Sequence, residues 1–240
     1  MINLPTFYES RQLVTPGDLL AEGNYIAGDN THKEDDKIYA TRVGLVDCER
    51  RKISVTALKA FYVPSIGDTV VAKVAEVGVG GWMVDINAPH LAVLRASDVL
   101  DRPFRPQKND LASLFDTGDL LIAKIVAYDR TRDPMLTVRE PGLGKVTYGL
   151  LVEITPTKIP RVIGRKGSMI NMIKKETRCR ITLGQNGLIL INGKTLEDEQ
   201  IAAMAIRKIE KEAHTSGLTD RVTEMVRKEK GGVEHTSKEE

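Results

Sequence analysis

Gly164-Arg165-Lys166-Gly167 sits between the apolar pair Val162-Ile163 and a run of helical periodicity, Ser168-Met169-Ile170-Asn171-Met172-Ile173. Two glycines three residues apart let the backbone turn sharply between two short helices. They also let it approach another backbone with no Cβ in the way. The two residues between them are basic, so the tip of the turn offers positive charge. Outward from it, Gly149-Leu150-Leu151-Val152-Glu153-Ile154 reads as a strand, and Pro156 to Ile163 as a short helix with proline near its start. Downstream, Cys179-Arg180-Ile181-Thr182-Leu183 and Leu188-Ile189-Leu190-Ile191 read as strands joined around Gly184 and Gly187. Thr195-Leu196-Glu197-Asp198 resembles a capping box. It opens a helix with Ala202, Ala205, Ile206, Ile209 and Ala213 on one stripe.

Strand, helix, glycine-bracketed turn, helix, strand, strand, helix is the order of a type I KH domain, and the span resembles that family. Such a turn clamps a nucleic-acid backbone. Charge agrees. From Arg161 to Arg180 there are seven basic residues and one acid, whereas the whole chain carries only +2. A local excess of that size is an electrostatic footprint. Gly164, Arg165, Lys166 and Gly167, with Arg161 beside them, are therefore the first candidate RNA-binding residues.

At 240 residues the chain has room for two or three small domains. With 41% hydrophobic and 28% charged residues it is expected to be globular. No apolar run approaches the roughly 20 residues of a membrane span, and the start Met1-Ile2-Asn3-Leu4-Pro5 lacks the profile of a secretion signal. A cytoplasmic, membrane-free protein is expected. Cys48 and Cys179 are far apart, with no Cys/His cluster for zinc, so they read as small buried apolar groups, and no metal or cofactor is expected. His32, His90, His214 and His235 are scattered away from any nucleophile. Asp85 and Asp98 near Arg95 read as loop caps, not as a two-metal site, so no catalytic residue is assigned.

Composition divides the chain into residues 1–63, 64–141 and 145–226, then a tail. The first part alternates turn signals (Thr15-Pro16-Gly17-Asp18, Gly23-Asn24, Gly28-Asp29-Asn30) with short strand-like runs, and so reads as a small all-β domain. Eight basic and nine acidic residues leave it without a nucleic-acid surface. His32 to Lys37 reads as a solvated loop. The second part holds five strand-like runs: Val70 to Val77, Trp82 to Ile86, Leu91 to Arg95, Leu120 to Tyr128 and Met135 to Val138. They suit an OB-type barrel and resemble the S-one RNA-binding domain. That family stacks bases on two aromatics and a histidine. Here Gly80, Met83 and Arg95 fall at those places, and Trp82 falls on the inward side. RNA contact in this part is expected to be electrostatic, through Arg95 and the turn bearing Arg130 and Arg132. In the third part Leu218, Val222, Met225 and Val226 mark one more helix after the KH span, and residues 227–240 read as a disordered tail. The expected fold class is thus multidomain β and α+β: a small all-β N-terminal domain, an OB-type S-one barrel, a type I KH domain and an extra C-terminal helix.

That order is itself informative. With Val14-Thr15-Pro16-Gly17-Asp18, Ile38-Tyr39-Ala40-Thr41, Tyr62-Val63-Pro64-Ser65-Ile66-Gly67-Asp68 and Val162-Ile163-Gly164-Arg165-Lys166-Gly167, the chain resembles the archaeal exosome cap subunits of the ribosomal RNA-processing protein four family. The resemblance covers about residues 4–225. It implies a non-catalytic protein. In that family three cap subunits sit on a hexameric ring of RNase PH-like proteins. They raise affinity for single-stranded RNA, with a preference for A-rich sequence, and feed 3′ ends into the phosphorolytic chamber. The zinc-ribbon sister cap subunit is a further implied neighbour. The alternative is a free-standing RNA-binding transcription or translation regulator with S-one and KH modules.

Overall fold

The computed structural model describes residues 6–49, 51–58, 61–100, 111–129, 131–213, 215 and 217–236. The chain divides into two compact units, Met1–Ala60 and Phe61–Glu240.

The first unit is all β. Its strands are β1 (Leu13–Val14), β2 (Leu19–Glu22), β3 (Ile26–Ala27), β4 (Thr31–Glu34), β5 (Lys37–Ala40), β6 (Gly44–Glu49) and β7 (Lys52–Ala57). One sheet has the order β1-β6-β7-β3 and the other β2-β5-β4. Alternation sets their faces: on β7, Ile53, Val55 and Ala57 point inward while Lys52 and Thr56 are exposed. The core joins Ile53 and Val55 to Val14, Leu20, Ile38, Ala40 and Val46. The stretch expected to be a solvated loop is corrected here. His32 to Glu34 belongs to β4, which pairs with β5 (His32↔Tyr39, Glu34↔Lys37). The hairpin turns through Asp35 at φ 52°, a left-handed conformation that aspartate tolerates. His32, Lys33 and Glu34 remain exposed, so no apolar alternation marked the strand.

The second unit begins with the barrel. Its five strands are β8 (Thr69–Val77), β9 (Gly81–Asp85), β10 (Ala92–Arg95), β11 (Leu120–Asp129) and β12 (Arg132–Thr137). They run β12-β10-β9-β8-β11, and the β11–β12 pairing closes the ring. Closure leaves β10 and β12 parallel (Val93↔Met135, Leu94↔Leu136). Inside are Val70, Ala72, Val74, Val84, Leu94, Leu121 and Leu136. Trp82 is buried among them. Its indole N–H donates to the Phe115 carbonyl at 2.8 Å, and its ring meets Phe115 edge-on at 5.0 Å. A sixth strand, β13 (Gly144–Val146), adds to β11 through Leu120↔Val146. Lys145, read as the start of the third part, therefore lies on the barrel sheet, where its ammonium pairs with Asp119.

The remainder follows the expected KH order: β14 (Leu150–Glu153), α1 (Ile159–Ile163), α2 (Ser168–Thr177), β15 (Arg180–Leu183), β16 (Leu188–Asn192) and α3 (Leu196–Lys211), then α4 (Leu218–Thr236). The sheet is antiparallel in the order β14-β16-β15. Thr195 caps α3, its hydroxyl accepting from the Asp198 N–H at 3.2 Å. Helices and sheet enclose Val152, Val162, Ile170, Ile173, Ile189, Ile206 and Ile209, and α4 adds Leu218, Val222 and Val226. Burial of such side chains contributes roughly 1.5–3 kcal/mol each.

The expected disordered tail is also corrected. Residues 227–236 continue α4, while 237–240 lie outside the described residues. Charge partners on the KH unit hold the start of this stretch. Arg227 donates to Glu176 Oε1 at 3.0 Å. Lys230 donates to the Glu176 carbonyl and lies 3.7 Å from Asp198 Oδ1. The hydrogen bond from Arg227 holds the Glu176 carboxyl below its ordinary range. A depressed folded-state pKa gives stability that is present above the unfolded value and lost as pH falls through the folded one. Acidification below the ordinary carboxylate range is therefore expected to loosen α4 around Arg227. Carbon-detected NMR would follow the Glu176 carboxyl and the Cα shifts of 227–230 together. Glu176→Gln should remove the pH dependence, and a transition that survived it would refute the assignment.

Barrel and KH unit meet through the loop Gly184-Gln185-Asn186-Gly187. On β8, Thr69 to Ala72 extends beyond its pairing with β9, which begins at Lys73↔Asp85. The loop takes up that open edge. The Gln185 N–H donates to Thr69 O at 2.9 Å. Asn186, fully buried, donates to Val71 O at 2.7 Å and Ile86 O at 2.8 Å, and accepts from the Val71 N–H. Val71 points out of the barrel yet is fully buried. Gly184 is needed for this approach: a Cβ there would lie 2.7 Å from Leu188 O and 2.8 Å from Val71 N.

Candidate nucleic-acid interface

The turn from α1 to α2 is built as its sequence suggests. Gly164 leaves α1 at φ 74°, ψ 174°; Lys166 sits at φ 52° and Gly167 at φ 79°. A Cβ on Gly164 would lie 2.8 Å from Met169 Cβ and 2.9 Å from Met169 N. Gly164→Ala is thus expected to cost about 1–3 kcal/mol through backbone strain. It should also blunt RNA binding by moving the turn, as a melting curve and a titration on the same variant would show. An alanine variant with unchanged stability and affinity would refute this.

Arg165 and Lys166 are exposed, and neither makes an ion pair among the described residues. The N-terminus of α2 has no side-chain cap and no acid in its first turn. The positive end of the helix dipole therefore stands behind two cations without ion pairs among the described residues, an arrangement suited to a phosphate. Arg161 is placed differently. Its Nη2 donates to the Thr215 carbonyl at 2.9 Å, so part of the guanidinium holds the connection between α3 and α4. At the other end of α2, about 15 Å away for a ten-residue helix, Lys175, Arg178 and Arg180 are exposed. Near a helix C-terminus such cations also complement the dipole.

Among the described residues, the barrel cations Arg95 and Arg132 do not form one patch. Arg95 is exposed at the end of β10, opposite Gly81. Arg132 opens β12 with 84% of its side chain exposed and lies 3.9 Å from Asp129, a long contact. The parallel register Val93↔Met135 sets them five residues apart along the strands, roughly 17 Å. Arg130 lies outside the described residues. Asp129 is held below its usual carboxylate range chiefly by hydrogen bonds from the Thr131 hydroxyl and N–H, with Arg132 a lesser cause. Met83, Val93 and Met135 form a half-buried row across β9, β10 and β12. Lys124 is engaged with Glu140 at 2.7 Å. Among the described residues no three His, Cys, Asp or Glu side chains come together as a metal site, and no helix is long and apolar enough to cross a membrane.

The three parts match three known families in order. Residues 11–59 match the exosome RNA-binding protein Rrp4 N-terminal domain, 61–127 the S1 domain of Rrp4, and 150–208 the KH domain. The exosome complex component Rrp4 of Methanothermus fervidus is 46% identical over 220 residues, covering 92% of this chain and 97% of that protein. The chain belongs to the Rrp4 family of exosome components. Rrp4 of Thermofilum pendens is 44% identical over 221 residues, covering 91% of this chain and 93% of its own length. A crystal structure of a protein described as an exosome complex RNA-binding protein superposes with a TM-score of 0.68 at 46% identity. It covers 71% of this chain and 98% of that one. As an Rrp4 relative the chain carries both RNA-binding domain types, and the Gly164–Gly167 turn lies inside the matched KH span. In the sequence, Gly184 and Gly187 read only as a strand connection. An asparagine bracketed by two glycines was the available sign that this loop does more.

Proposed function

We propose that this chain is a non-catalytic RNA-binding cap subunit of an archaeal, cytoplasmic exosome. The observation that carries the reading is the Arg165-Lys166 turn, exposed, without ion pairs among the described residues and backed by a helix N-terminus with no side-chain cap, in a chain of the Rrp4 family. In this reading three copies dock on a hexameric ring of RNase PH-like subunits, alone or beside the zinc-ribbon sister subunit. The charge-balanced first unit provides docking, and the barrel and KH unit hold single-stranded RNA, A-rich by preference, so that its 3′ end enters the phosphorolytic chamber. Gly164, Arg165, Lys166, Gly167 and Arg95 contact the backbone. Arg132 contributes from the far end of the barrel, Arg130 is a further RNA contact, and Arg161 shares its guanidinium with Thr215. Phosphate contacts position a strand without reading its sequence. Several weak sites on one ring gain by effective concentration, so a strand is recaptured often and still slides.

Size-exclusion chromatography with light scattering, on the chain alone and with a purified RNase PH-like hexamer, tests the assembly. The expected result is a complex carrying three added chains per ring, which degrades RNA faster than the ring alone. A chain that bound RNA but eluted apart from the ring would instead be a free-standing regulator.

A further inference from the structure

At the end of the barrel away from Arg95 lies a cavity of about 160 Å³ whose walls include Tyr62, Pro64, Pro89, His90, Tyr128 and Pro134. Its floor is stiff. Tyr62 is 5% exposed, and its hydroxyl donates to Asp68 Oδ2 at 2.6 Å. Burial, and then Asp68, push that hydroxyl's pKa up, so it stays a donor and the ring stays put. Pro64 and Pro134 are buried and have fixed φ. The rim is open: Pro89 and His90 are exposed and Tyr128 is half-buried. Flat, rigid apolar walls suit a planar ring. The volume is well below the roughly 300–1,000 Å³ of a drug-sized ligand site, so it admits one ring system and not a stretch of peptide.

Its surroundings point to a nucleobase. Arg132 stands two residues before Pro134 on β12, with 84% of its side chain exposed. On the opposite rim, Asn87 precedes Ala88-Pro89-His90 and donates to Glu153 Oε1 at 3.2 Å and Asn186 O at 3.3 Å. Those bonds tie the rim to the KH unit, so the cavity lies where the barrel joins the domain bearing the Arg165-Lys166 turn. Asp129 and Asp133, both exposed nearby, disfavour a run of phosphates. We propose that this cavity is a base-binding site, in which one base of a single-stranded RNA stacks on Tyr128 while Arg132 meets an adjoining phosphate. Stacking tolerates any base, because each has a π-face. The site deepens the RNA-binding reading above and rests on it.

The test uses the full chain and a short single-stranded RNA carrying 5-iodouridine at each position in turn. Irradiation is expected to crosslink one position to Tyr128 or to its neighbours in the cavity. Tyr128→Leu should abolish that crosslink and weaken binding about five- to tenfold, the scale of one stacked base. The dependence of affinity on salt should not change, since no phosphate contact is removed. His90→Ala, on the open rim, should give a smaller loss, and unchanged Trp82 fluorescence would certify the fold of both variants. If the wild type binds RNA but both variants match it in crosslinks and affinity, the base site is refuted and the RNA-binding reading stands. If the wild type binds no RNA, both fall. If Tyr128→Leu weakens the ring complex and leaves RNA affinity intact, the cavity holds protein and the base site is refuted.

Discussion

Reversing the charge at the turn, by Arg165→Asp with Lys166→Asp, is expected to weaken single-stranded RNA binding about 100-fold or more. Two charge-assisted hydrogen bonds to phosphate are lost, each worth roughly 1.5–3 kcal/mol, and two carboxylates now repel the strand. The salt dependence should change in a defined way. With two fewer phosphates neutralised, the slope of log affinity against log salt should fall by about 1.4, at roughly 0.7 per contact for a single strand. Stability should not move. Both side chains are exposed, and aspartate tolerates the left-handed conformation that Lys166 adopts at φ 52°. A titration at two salt concentrations, with a melting curve as control, checks all three points. Unchanged affinity and slope would remove the KH turn from the RNA path and leave the barrel as the remaining surface.

The second large effect is on the joint between barrel and KH unit. Asn186→Leu keeps a side chain of similar size but strips two donated bonds and one accepted bond, leaving Val71 N, Val71 O and Ile86 O buried without that partner. At roughly 1–3 kcal/mol for each unsatisfied buried group, the expected loss is about 3 kcal/mol or more. For a unit of this size that lowers Tm by about 6–12 °C. Trp82, the chain's one tryptophan, lies in the barrel core and reports its unfolding. Amide exchange at Val71 should quicken even where the barrel stays folded, because its N–H bonds to Asn186 and not to a strand. If neither Tm nor Val71 exchange moves, the joint is held by packing alone and the hydrogen bonds contribute little.

Much of this was legible in the chain, for reasons that can be named. The barrel strands showed because Val70, Ala72 and Val74 alternate with outward positions. The KH order showed because 2-fold and 3.6-fold periodicities switch at Pro156, near Cys179 and at Thr195, and Gly164 breaks the helical run between them. The RNA turn showed because two glycines and two cations are adjacent in sequence, so no folding is needed to bring them together. What escaped is what depends on partners distant in sequence. The β4 hairpin was hidden by charged side chains, since backbone pairing with β5 leaves no apolar signature. The end of α4 was hidden because Gly231-Gly232 and a polar run argue for disorder. Glu176 and Asp198, more than thirty residues back in the chain, hold Arg227 and Lys230 where that stretch begins.

The sequence by itself determined the family, the order of the three parts, the barrel and KH strand patterns, and the Gly164–Gly167 turn with its charge. All of these rest on local periodicity or on adjacent residues. Only the tertiary structure decided which cations are free. Arg165 and Lys166 make no ion pair among the described residues, Lys124 is bound by Glu140, Arg161 is drawn to Thr215, and Arg95 and Arg132 stand at opposite ends of the barrel. It alone decided that Asn186 closes the open edge of β8, and that Tyr62 and Tyr128, far apart in the chain, share a cavity. Hydrogen-bond partners and distances across a fold are set by how the elements pack, and no periodicity in the chain encodes them.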